Sequence, residues 1–239
     1  MKINIVYRTC NAPLKETALN YINKERCLSN AIKNFPRDKC NWHIVADTMP
    51  ETSIDVLKKY VDDEGIEKIY VKDNSKSFTA CLNYALSLKT EEWVYFLEDD
   101  YLHRNNSFQV LNEGILLSES YVKENIKFLT LYDHPDKYGY NGPNPFVSGG
   151  EITKVYLTNS CHWKYTNSTT MTFASKVSTL LKHQEIIRKY AISGTTYAFK
   201  MFLELNQKKE YLISPLPGYS THGTKRFPSP LYNWEKEVR

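Results

Sequence analysis

The stretch "YFLEDDYLH", residues 95–103, sets Glu98, Asp99 and Asp100 in a row directly behind an apolar and aromatic run. Carboxylates at that density do chemistry when a hard divalent cation, Mg²⁺ or Mn²⁺, takes one or two of them and completes its shell with phosphate oxygens. Without a cation the adjacent charges repel one another and at least one acid is pushed up in pKa. If strand geometry persists through the triplet, Glu98 and Asp100 project to one side and Asp99 to the other, so a metal ion and a sugar or ribose can be addressed at once. A strand end in water also carries such charges idly, so the surrounding elements must choose.

Before the triplet, β-type runs alternate with helical patterns. "INIVY" (3–7), "WHIVA" (42–46), "KIYV" (68–71) and "WVYFL" (93–97) are separated by helical periodicities over 15–34, 51–64 and 77–90, the last opening at a potential Ser cap. Such repetition builds a parallel sheet covered by helices, and ligands collect at the carboxyl ends of its strands. The acids close the fourth strand. Beyond residue 103 the pattern predicts a helix near 106–119, a strand at 127–132, a β-like segment at 168–175, helices at 175–190 and 195–207, and a short strand "YLIS" before a Pro-rich tail. Between them "DHPDKYGYNGPNPFVSGGE" concentrates four of the nine glycines, the composition of a long binding loop or lid. The expected architecture is α/β: a single compact domain with a central, mostly parallel sheet flanked by helices.

Through "VYFLEDDYL" the sequence resembles the GT-A-fold glycosyltransferases, similar to family 2 enzymes and to the EDD form of the DxD motif in N-acetylglucosaminyltransferase I. The resemblance implies a nucleotide-sugar-binding half over 1–103 and an acceptor-binding half over 104–239. It implies Asp100 as the metal ligand, with Glu98 and Asp99 orienting ribose and donor sugar. Arg8 and Thr9, at the end of the first strand, match donor-site positions, and Asp47 matches an acid that contacts uracil or ribose; a turn or cap aspartate is its bland alternative. Asn74, Ser77 and Asn83 in "DNSKSFTACLNYAL" correspond to a segment that approaches the nucleotide, though capping explains each of them individually. His222 in "PLPGYSTHG" corresponds to a late histidine ligand, with Mn²⁺ or Mg²⁺ as cofactor.

Inverting transfer needs a carboxylate base near the acceptor hydroxyl. Where the family carries acids before a helix, this chain reads "AISGTTYAFKMFLEL", with Thr195 and Thr196 in their place. Two routes stay open: Asp133 in "TLYDHPDKY" as the base, or a retaining mechanism without one. His134, His162 and Trp163 are candidates for acceptor or sugar contact, Trp163 by stacking, against the alternative of a core tryptophan. His103, just past the acids, is a further pocket-lining candidate.

Composition removes several other classes. The net charge of +4 arises from 31 basic and 27 acidic residues, without the long basic block of a nucleic-acid binder. The cysteines at 10, 27, 40, 81 and 161 are odd in number and form no CxxC pair, so neither a zinc site nor a disulfide framework is expected. No run of about 18 apolar residues suggests a membrane span, and "MKINIVYRTC" is too short for a signal core, so a cytoplasmic protein without an integral membrane segment or an implied protein partner is expected. The reading is a metal-dependent transferase moving a sugar from a nucleotide diphosphate donor, a UDP-sugar first among them, to a glycan or other hydroxyl acceptor. A sugar-phosphate nucleotidyltransferase would announce a Gly-rich N-terminal loop, and "VYRTCNAPLKE" holds no Gly. A hydrolase would need its acids across a cleft. A non-catalytic nucleotide- or carbohydrate-binding protein on a degenerate transferase fold is favoured by the missing base motif.

Overall fold

The computed structural model describes residues 2–138, 153–192 and 195–238. Three of the four apolar runs are strands β1 (Ile3–Cys10), β2 (Cys40–Asp47) and β4 (Trp93–Glu98), while β3 (Ile66–Ile69) lies two residues ahead of "KIYV" and leaves Tyr70 and Val71 exposed past its end. They pair in parallel in the order β3-β2-β1-β4. Side chains on both faces of β1, β2 and β4 are covered, which is why these strands read as apolar runs, whereas β3, at the sheet edge, is only partly covered. On β1, Ile3, Ile5 and Tyr7 enter one core and Val6 the other; on β4, Trp93, Tyr95 and Leu97 separate in the same way from Val94 and Phe96, as a period of two requires.

The crossovers carry α1 (Lys24–Asn34), α2 (Glu51–Lys58) and α3 (Asn74–Leu86). Capping side chains, rather than apolar periodicity, set where two of them begin. Asn23 accepts from the Arg26 amide, so α1 starts at Lys24 and not at 15; Asp73 accepts from the amides of Ser75 and Lys76, so α3 starts ahead of Ser77.

After the acids come β5 (Tyr101–His103), α4 (Ser107–Ser120), β6 (Ile126–Leu129), β7 (Val155–Leu157), β8 (His162–Thr166), β9 (Ala174–Lys176) and α5 (Val177–Tyr190). Then follow the pair β10 (Ala191–Ile192) and β11 (Thr195–Thr196), α6 (Ala198–Gln207), β12 (Tyr211–Leu216) and β13 (Ser220–His222). The nine-stranded sheet runs β3-β2-β1-β4-β9-β6-β12-β8-β7. Only β8 and β9 oppose the rest, so the expected α/β architecture with a mostly parallel sheet is the one observed. Helices α1, α2 and α4 cover one face and α3, α5 and α6 the other.

The strand expected over 168–175 shortens to β9, and of the residues before it Thr170 and Thr172 place their hydroxyls on Glu98. β5, β7, β8 and β13 were not anticipated. Residue 103 marks no seam in the sheet, because β4 pairs directly with β9. Most of the Gly-rich loop, residues 139–152, lies outside the described residues. The five cysteines are free thiols. No helix among the described residues is long and apolar enough to cross a membrane.

Candidate active site

Strand β1 has β2 on one side and β4 on the other, so the connections leave it in opposite directions and a crevice opens outside the carboxyl ends of β1 and β4. Arg8, Thr9 and Cys10 arrive there from β1. Glu98 ends β4, and Asp99 and Asp100 form a turn into β5, so strand geometry stops at Glu98 and the three acids diverge to three neighbours.

Each acid meets its own cation. Glu98 is bound by the Arg8 guanidinium through Oε1, while Thr170 and Thr172 donate to Oε2 at 2.7 and 3.2 Å. Arg8 also donates to the Asn74 carbonyl at 2.6 Å and to Ser77 Oγ at 3.1 Å, which ties β1 and β4 to the start of α3. Burial opposes the guanidinium charge, but the acidic groups around it, Glu98 foremost and Asp99 with it, together raise the Arg8 pKa.

Asp99 Oδ2 accepts from Thr9 Oγ1 at 2.7 Å and from the Cys10 amide at 3.3 Å, and lies 2.8 Å from Lys24 Nζ. Burial pushes Asp99 above the ordinary carboxylate value, with Lys24 pulling the other way and the Asp100 charge adding to the rise. Lys24, the first residue of α1, was missed in the sequence because the helix was expected to begin at 15.

Asp100 and His222 form the third pair, Oδ2 to Nε2 at 2.9 Å. Burial works against the Asp100 carboxylate, yet the His222 charge in contact with it holds its pKa below the usual range. Burial likewise opposes the His222 imidazolium, and Asp100 raises it. Strand β13 pairs His222 with Tyr101 across β5, and the Gly223 amide donates to the Asp100 carbonyl at 2.8 Å, so backbone bonds hold the pair together.

These two residues fit a hard divalent cation. Two neighbouring ligands on an octahedral ion with bonds of about 2.1 Å stand about 3.0 Å apart, close to the separation observed. Asp100 Oδ1 is buried without a hydrogen-bond partner, an orphan atom of the kind that asks for a ligand. No group of three or more His, Cys, Asp or Glu is arranged for a metal among the described residues, so the remaining ligands would be phosphate oxygens and water.

The other candidates disperse. Asp47 Oδ1 accepts from Thr48 Oγ1 and from the Val71 and Lys72 amides at 2.8, 2.9 and 3.1 Å. It pins a rim where Thr48 and Lys72 hold φ of 55° and 48°, an uncommon conformation for a β-branched residue. Asn83 is exposed on α3 and accepts from Arg188 at 2.6 Å, apart from the acids. Trp163 is fully buried against the core and donates to Thr158 Oγ1 at 3.3 Å; with no exposed face it packs rather than stacks on a sugar. His103 is equally buried, between Phe35 and Tyr95. His162 is exposed at the start of β8.

Asp133 follows the end of β6 and is wholly buried. Tyr138 donates to its Oδ2 at 2.7 Å, and Lys164 Nζ lies 2.9 Å from Oδ1, an ion pair by distance though off hydrogen-bond alignment. Lys164 also donates to the Tyr138 hydroxyl at 2.8 Å. His134 stands 2.9 Å from Asp136 and packs between Tyr132 and Phe227.

No protein-family model and no curated protein matches the sequence. Solved structures of S. aureus TarS are similar to it. TarS 1–349 gives a TM-score of 0.45 at 16% identity over 90% of this chain and 58% of that one; TarS gives 0.46 at 16% over 90% and 35%. TarS 1–349 in complex with UDP gives 0.48 at 17% over 90% and 57%. The chain thus spans less than two thirds of each.

Besides Lys24, sequence reading missed Thr170, Thr172, Lys164 and Tyr138. The first two lay in what read as a strand. Lys164 carried no signal at all, since a lysine in a β-run gives no warning that it will be buried against an aspartate far off in sequence.

Proposed function

We propose that the protein is a GT-A-type glycosyltransferase that binds a nucleotide diphosphate sugar, a UDP-sugar first, at the crevice outside β1 and β4 and transfers the sugar to a hydroxyl acceptor. One observation carries the proposal: at the topological switch point, Asp100 keeps a buried, unpartnered oxygen while its other oxygen and His222 stand at the spacing of two cis ligands. In this reading Asp100 and His222 hold Mn²⁺ or Mg²⁺. When bound, the cation neutralises charge developing on the departing diphosphate. Thr9 and Lys24 hold Asp99 toward ribose or donor sugar, and Arg8 with Glu98 keeps the β1 and β4 ends at fixed spacing instead of meeting the nucleotide directly. Asp133 enters as the acceptor-side carboxylate under a condition set by its burial: Tyr138 must leave Oδ2 before an acceptor hydroxyl can reach it.

The test is incubation with UDP-, GDP- and dTDP-sugars with and without Mn²⁺. The expected result is cation-dependent release of nucleotide diphosphate, lost by about 100-fold or more in Asp100→Asn, with the fold intact by circular dichroism. Failure of every nucleotide to bind would end the proposal. A second reading, a nucleotide- or carbohydrate-binding protein without turnover, is favoured by the enclosed Asp133 and by Thr195 and Thr196 standing where acids are expected. Tight donor binding with no turnover in any acceptor mixture would select it.

A further inference from the structure

Residues 182–209 hold Lys182, Arg188, Lys189, Lys200, Lys208 and Lys209 against Glu185 and Glu204. This segment runs from within α5 through the β10/β11 pair to just past α6. Five of its six cations, all but Arg188, are exposed, and a depression of about 600 Å³ is lined by Lys189, Tyr190, Lys200, Gln207 and Lys208. Glu204 accepts from Lys189 at 2.6 Å and from the Tyr190 hydroxyl at 2.7 Å, and Glu210 pairs with Lys182, so two of the charges are cancelled. Lys200 lies over the Tyr197 ring, 4.9 Å from its centroid; it, Lys208 and Lys209 form no ion pair among the described residues.

Beside these lysines the chain exposes apolar surface. Ile192, the last residue of β10, is 50% exposed, and Tyr197, just after β11, is 41% exposed. Lysines alone would make a solvated face, and a soluble polyanion would be held by them without help from an aliphatic side chain. An aliphatic tip, a tyrosine beside it and lysine stems around both form the composition of an interfacial anchor: the tip enters the headgroup region, the ring sits at the boundary and the ammonium groups reach the phosphates. We propose that the outer face of α5, the β10/β11 pair and α6 rests on an anionic phospholipid surface. The attraction acts within a Debye length, about 8 Å in physiological salt, so binding is reversible and salt-sensitive.

The test is co-sedimentation of the full chain with phosphatidylcholine vesicles, with and without phosphatidylglycerol. The expected result is partition onto the phosphatidylglycerol vesicles alone, weakened by salt. Each basic residue at such a surface contributes a factor of about five, so Lys200→Glu/Lys208→Glu should lower partition about 20-fold or more, with the thermal midpoint and nucleotide binding unchanged. Ile192→Ser/Tyr197→Ser should also lower it, while keeping the salt dependence. Absence of binding to phosphatidylglycerol vesicles, or equal binding by the lysine variant, overturns the proposal. So does binding that survives loss of Ile192 and Tyr197 but is displaced by inorganic polyphosphate, which would make this a soluble polyanion's site.

Discussion

Gly223 has no room for a Cβ: the atom would lie 2.0 Å from Ile22 Cδ1 and 2.6 Å from the Asp100 carbonyl oxygen. Ile22 can turn its tip aside, but the carbonyl cannot move without carrying the acid along. Gly223→Ala should therefore weaken Mn²⁺ binding by about 10- to 100-fold, the usual effect of disturbing the support behind a ligand, as read by titration calorimetry; unchanged affinity would show that Asp100 is not the ligand. Asp133 presents a different problem, because its structural and chemical roles can be separated. Asp133→Asn leaves the Lys164 ammonium buried without a counter-charge and should cost about 3 kcal/mol or more. Removing both charges in Asp133→Asn/Lys164→Met should recover most of that in urea denaturation. If Asp133 is the base, this stable double variant has lost transfer; if it still transfers sugar at the original rate, the carboxylate is structural only.

At the scale of elements, packing overrules local preference in helix α4. Gly114 sits in its interior, where alanine would gain about 1 kcal/mol in helix propensity. A Cβ there would lie 2.7 Å from Leu129 Cδ2 and 2.8 Å from two ring carbons of Trp163, and a fully buried indole cannot retreat without repacking the sheet face. Overpacking of this kind costs about 1–3 kcal/mol, so Gly114→Ala should lower stability by about 1 kcal/mol in urea denaturation; a more stable variant would show that Trp163 yields easily. Strand β5 is held in a comparable way: Asn30 of α1 bonds both the amide and the carbonyl of His103, at 2.7 and 2.9 Å. These side chains stand in for a neighbouring strand along that edge, and so fix the turn that carries Asp99 and Asp100.

For the whole molecule, acid sensitivity follows from histidines folded in neutral form. Burial pushes His103 down to about 3, and burial likewise lowers His43 and His183. Between that value and the unfolded value of about 6.5, the unfolded chain binds a proton at residue 103 that the native chain does not, so stability falls as pH falls through this window. The slope from one such group approaches about 1.4 kcal/mol per pH unit. His103→Gln should flatten the decline between neutrality and pH of about 4 in urea midpoints, and an unaltered slope would mean that His103 is protonated in the native state. The sequence alone determined the parallel half of the sheet and the place of the acids, because continuous apolar strands and their order are local properties of the chain. Which cation answers each acid, that β9 enters antiparallel between β4 and β6, and that Trp163, His103 and Asp133 are enclosed were decided only by tertiary structure. Those facts depend on contacts between residues tens to more than a hundred positions apart, and burial of a polar or aromatic side chain leaves no periodic trace in its own neighbourhood.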